Sequence, residues 1–167
     1  MKKHYWYIAP ALIISLFIYL FYRTDKTLVN QIFIQLSSLK TYEDLKCSIT
    51  TTLPLNKYII YSLPEGLWVF CITLTSKGFY IKFFNRQIDC VLIPPAFAIG
   101  LELFQLLHIT NGRFDILDIA VSLLFWFLAL KITQTKARLE NVFNAFNLNS
   151  AVCLLSYCIV YLAHVNH

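Results

Sequence analysis

Residues 97–128 read FAIGLELFQLLHITNGRFDILDIAVSLLFWFL. Two apolar runs flank Asn111-Gly112, a strong turn dipeptide, so the stretch predicts two antiparallel helices joined by a tight connection. Glu102 and Gln105 are three apart and share one helix face, and Asp115 and Asp118 repeat that spacing at the start of the next helix. Ser122 follows one turn beyond Asp118. A charged side chain at the centre of a membrane helix costs about 2.5 to 3.5 kcal/mol, so carboxylates set in runs this apolar mark either a function or a paired structural site.

The rest of the chain puts that hairpin in lipid. Of 167 residues, 58% are apolar and 14% charged, and the mean hydropathy is +0.62. A water-soluble domain of this size would expose too much apolar surface. The net charge of +5 comes from Lys and Arg at the ends of apolar runs, with no basic stripe, which argues against nucleic-acid binding. Cys47, Cys71, Cys90, Cys153 and Cys158 include no CxxC pair, so neither a metal cage nor a disulfide framework is expected from them.

These features predict an all-α fold, an integral membrane bundle of about five transmembrane helices forming one domain over 1–167. The expected spans are 5–22, 63–84, 88–108, 115–132 and 148–165, with an outer hydrophilic loop over 23–57. Lys2, Lys3, Lys77, Lys82, Arg86, Lys131, Lys136 and Arg138 then share the cytoplasmic side, giving an N-terminus in and a C-terminus out. Within the loop, Leu28, Ile32, Leu36 and Leu39 recur at helical spacing. That pattern suits either a helix on the membrane surface or a short one packed on the bundle. Pro94-Pro95 is expected to kink the third span.

Under this topology Glu65, Glu102, Asp115 and Asp118 share the outer half of the membrane, with Arg113 as the nearby permanent cation. Four carboxylates against one guanidinium cannot all stay ionised and dry; they need water, shared protons, a bound cation or a cationic ligand. The candidate ligand-binding set is Glu65, Glu102, Gln105, Arg113, Asp115 and Asp118, with no metal or cofactor assigned. Each has a plainer reading. Ser62 and Glu65 fit a capping box opening the second span, Asp115 can serve the helix dipole, and Gln105 can be an interhelical hydrogen-bonding amide.

The order Glu102-Leu103-Phe104-Gln105, then Asn111-Gly112-Arg113-Phe114-Asp115, then Asp118 resembles the VanZ-like family, whose signature is Glu-x-x-Gln near the end of one span, a Gly-containing turn and an Asp opening the next. The likeness runs from Gly100 to Ser122. It departs at Leu63-Pro64-Glu65, where the family often has Asp-Lys-x-x-His, and at Ser122 and Phe125. The resemblance implies a multi-pass bacterial inner-membrane protein of the cell envelope, from a family associated with lowered susceptibility to glycopeptide antibiotics such as teicoplanin.

Three functions lead among those compatible with these residues, with a proton-coupled transporter, which five spans without repeats could build only as a small oligomer, as a fourth. The first is an outward-facing acidic and polar pocket for an envelope lipid or glycopeptide-like ligand. The second is an intramembrane lipid-modifying enzyme that uses the carboxylates as acid and base, although Ser62 and Ser122 lie on other helices from any His. The third is an accessory or scaffold subunit whose charges pair with a membrane protein partner.

Overall fold

The computed structural model of the chain describes residues 5–23, 28–84, 86–109, 113–132, 139–143 and 148–165. They are mostly helical: α1 (Tyr5–Tyr22), α2 (Leu28–Ser37), α3 (Leu39–Thr52), α4 (Lys57–Ser76), α5 (Ile93–Leu106), α6 (Ile116–Ile132) and α7 (Leu148–Val165). A small sheet adds β1 (Phe79–Phe83), β2 (Arg86–Asp89) and β3 (Glu140–Asn141). In it β1 pairs antiparallel with β2 and parallel with β3. Lys2, Lys3, Asn111, Gly112, Lys136 and Arg138, on which the expected sidedness and turn partly rest, lie outside the described residues.

The centre of the molecule is α4, buried along most of its second half. Leu67, Phe70, Cys71 and Leu74 form one core with Ala11 of α1 and Ala129 of α6. Helices α4 and α6 run parallel, because contacts join Ser62 to Asp118 at one end and Lys77 to Ala129 at the other. Gly66 is what lets them close: a Cβ built there would stand 2.6 Å from Phe125 Cδ2 and 2.8 Å from Val121 Cγ1.

Several boundaries differ from the sequence expectation, each for a local reason. The second helix begins at Lys57, where the Asn56 side chain accepts the Tyr58 N–H. Ser62, Pro64 and Glu65 are therefore interior residues and form no capping box. The same helix stops at Ser76 because the chain turns at Gly78, whose φ of 91° suits glycine. The apolar run that follows is strand β1, not more helix. Pro94 and Pro95 occupy the first turn of α5, where a missing N–H costs nothing, so they start that helix and do not kink it.

With the sheet and a 3₁₀ turn, Cys90–Leu92, taking up those residues, the helices are shorter than five equal spans would require. Among the described residues, Lys57–Ser76 is the one helix long and apolar enough to cross a membrane, while Trp6–Tyr22, Cys90–Leu106 and Leu148–Cys158 are apolar but shorter.

The hydrophilic connection is not a loop. Helices α2 and α3 fold across the end of α1, where Tyr42 packs with Leu20 and Phe21, backed by Phe33 and Ile34. Ile32, Leu36 and Leu39, three of the residues in the expected stripe, are exposed. Free carbonyls at the end of α1 find donors on α3: the Tyr42 hydroxyl donates to Leu20 O at 2.8 Å and Lys46 Nζ to Arg23 O at 3.3 Å. Tyr42→Phe should lower stability by about 1 kcal/mol, the net worth of one buried hydrogen bond. Thermal unfolding in detergent would show this as a modest fall in Tm with helix content unchanged.

At the opposite end Lys77, which follows α4, reaches across to α6. Its ammonium donates to Ala129 O at 2.7 Å and Leu130 O at 2.9 Å, capping the negative end of α6. Next to it Tyr157 of α7 shares a 2.8 Å hydrogen bond with Ser76 and donates to Cys90 O at 3.1 Å.

Candidate functional site

The end of the bundle nearest α3 gathers the charge. Glu65 is in the third turn of α4, Glu102 in the penultimate turn of α5 and Asp118 in the first turn of α6. One carboxylate oxygen from each lies within 4.8 Å of the other two. Three helices that meet through apolar faces thus present three acids to one point. Glu102 is the deepest, 2% exposed. Its Oε2 accepts the Asp115 N–H at 2.9 Å, which ties the end of α5 to the start of α6 beside their connection.

Asp118 is held from α4 by a hydrogen bond from the Ser62 hydroxyl. Its other oxygen, Oδ1, is buried without a hydrogen-bond partner, and so is Ser122 Oγ one turn further along α6. An unpaired buried acceptor costs on the order of 1 to 3 kcal/mol, more when charged. The arrangement is thus incomplete without a donor or a cation.

The cation facing this cluster comes from an unexpected place. Arg23, at the end of α1, acts electrostatically on both Glu65 and Asp118. Its guanidinium stacks 4.7 Å from the centre of the Tyr19 ring and 5.6 Å from that of Tyr61. Arg113, expected in this role, is exposed in the stretch preceding α6. Asp115 stands beside the cluster: its N–H binds Glu102, its charge acts on Glu102 and Asp118, and its side chain accepts the Leu117 N–H at 2.9 Å at the start of α6. Gln105 is half-buried three residues beyond Glu102.

Of the six residues expected in the site, then, Glu65, Glu102 and Asp118 form the cluster. Asp115 adjoins it through its N–H and its charge, Gln105 lies beyond it and Arg113 is exposed. Sequence reasoning missed Arg23 and undervalued Ser62. The signal for Ser62 was its spacing from Glu65, read as a cap when it reports a shared face of α4.

Chemically, three convergent carboxylates can share protons, hold a metal ion through one oxygen each, or receive an ammonium group. No metal site was expected from the sequence, yet Glu65, Glu102 and Asp118 are close enough to supply one. Below the cluster the space between α4 and α5 stays open as a cleft of about 210 Å³, with Glu65 at its upper rim and Tyr157 among its lining residues. Compared with known proteins, the chain matches no family model, no curated sequence and no solved structure.

Proposed function

We propose that this chain is a VanZ-like protein of the bacterial inner membrane, a multi-pass bundle of about five spans with its N-terminus inside and C-terminus outside. Its acidic cluster faces outward and takes an envelope lipid or glycopeptide-like ligand. The observation that carries this reading is the convergence of Glu65, Glu102 and Asp118 from three helices around a buried, unpartnered Asp118 oxygen. Such a group is too costly to keep for packing alone.

Lipid as the surrounding solvent is supported by the outward faces of the helices. Trp6, Ile13 and Leu16 on α1, Phe104 on α5, Leu124 and Phe127 on α6 and Leu155 on α7 are all exposed. An apolar surface of that extent in water would drive aggregation. Helix α1, with 18 residues, rises about 27 Å. That falls slightly short of a hydrocarbon core of about 30 Å, a mismatch that local thinning and snorkelling can absorb.

The test is a pair of isosteric neutralisations, Glu102→Gln and Asp118→Asn, each expressed in a host in which the wild-type chain lowers teicoplanin susceptibility. Both are expected to restore the susceptibility of the empty host while reaching wild-type levels in the membrane. Unchanged protection by both variants would overturn the reading.

A further inference from the structure

The cleft beneath the carboxylates has a composition of its own. Trp68, Val69 and Ile72 of α4 face Phe97, Ala98 and Leu101 of α5 across it. Glu65 supplies the charge at one end, and the Tyr157 hydroxyl at the other is already engaged by Ser76 and Cys90. From Glu65 to Ile72 the walls run about 10 Å along the helix at 1.5 Å per residue. A volume of about 210 Å³ over that length describes a slot for one hydrocarbon chain. A metal ion would need only the carboxylates and would leave this apolar slot unused, whereas an amphiphile uses both parts.

The head group follows from the geometry of the acceptors. A primary ammonium carries three N–H donors fanned tetrahedrally. Charge-assisted bonds of about 2.8 Å place three acceptors roughly 4.6 Å apart. Glu65, Glu102 and Asp118 each offer one oxygen, all within 4.8 Å of one another, and the unpartnered Asp118 Oδ1 is an acceptor awaiting a donor. Arg23 offsets one of the triad's three negative charges, so a single ammonium balances the site when two of the crowded carboxyls share a proton.

We infer that the cleft and the triad form one site for a long-chain primary amine, its hydrocarbon chain between α4 and α5 and its ammonium held by Glu65, Glu102 and Asp118. The inference rests on the pocket proposed above and specifies what enters it.

The full chain in phosphatidylcholine nanodiscs, titrated with dodecylamine brominated at its fourth and fifth carbons, tests this through Trp68, which lies one helical turn from Glu65 and whose fluorescence the bromine quenches on contact. Saturable quenching is expected in the wild type and absent in Trp68→Phe. The matching alcohol and the matching trimethylammonium compound should each bind about tenfold more weakly or worse, since they lack the charge or the three donors. Glu65→Gln and Asp118→Asn should each weaken the amine about tenfold and leave the alcohol unaffected. Ala98→Phe, which fills the slot, should remove quenching by the amine.

Equal binding of amine and alcohol, or no saturable quenching, overturns the inference. So does displacement of the amine by millimolar magnesium with stabilisation of the protein at every chain length, which would assign the triad to a metal. If Glu102→Gln and Asp118→Asn lose protection while the amine fails to bind, only the ligand class is wrong. If both keep protection, the pocket reading itself falls.

Discussion

A Gly66→Leu chain is expected to lose the folded bundle altogether. Gly66 is buried where α4 crosses α6, and even a single added carbon would meet the Phe125 ring at 2.6 Å and a Val121 methyl at 2.8 Å. Gly66→Ala should therefore cost about 1 to 3 kcal/mol, the usual range for overpacking a filled interface. Leucine adds three more carbons with nowhere to go and forces the helices apart. In the proposed lipid setting, where helices associate through close packing of small residues, no hydrophobic term offsets that separation.

The site would fail with the fold, because Ser62 and Glu65 on α4 flank this contact and meet Asp118 across it. Size-exclusion chromatography in mild detergent should show aggregate in place of a monodisperse peak. Phe125→Ala should cost less in the Gly66→Ala background than in the wild type, because the new methyl fills part of the space the ring vacates. Equal stability of wild type and Gly66→Leu would mean that α4 and α6 do not pack as described.

How much of this arrangement the sequence discloses depends on how local its causes are. The α5–α6 pair is legible because its signals lie within one short stretch: two apolar runs, a turn dipeptide and acids three residues apart. Glu102 and Asp118 stand out as charges in apolar runs, and the structure brings them together. The limits of α4 were misread because two local signals compete. The Ser62-Pro64-Glu65 pattern imitates a helix start, but Asn56 is a better placed cap, and tertiary burial of the residues between them favours the longer helix. At the other end Gly78 was a usable stop signal. It was outweighed by the apolar character of Phe79, Tyr80 and Ile81, which read equally well as more helix or as a strand.

Arg23 lay beyond reach of any local pattern. Its position depends on α3 folding back across the end of α1, secured by Tyr42 and Lys46, and on two aromatic rings from different helices. A hydropathy profile places it in a loop. The same long-range packing explains why Arg113, close to the acids in sequence, is not the residue that faces them.

Removing that cation yields the second large effect. Arg23→Leu should destabilise the protein by about 2 kcal/mol: two cation–π contacts, each worth about 0.5 to 1 kcal/mol at partly exposed sites, and the loss of the positive field opposite Glu65 and Asp118. Arg23→Lys should retain the charge but recover only part of the stability, since an ammonium does not reproduce the planar stacking on Tyr19 and Tyr61. The informative variant is the double change Arg23→Leu, Glu65→Gln. If Arg23 serves chiefly to offset crowded carboxylates, neutralising one acid should return a large part of what its removal costs, whereas Glu65→Gln in the wild-type background should change stability little. Thermal unfolding of the four chains in one detergent closes the cycle and isolates the coupling between the two residues. A coupling indistinguishable from zero would mean that Arg23 only tethers α1 to Tyr19 and Tyr61, and the triad would then rely wholly on protons or a ligand for its balance.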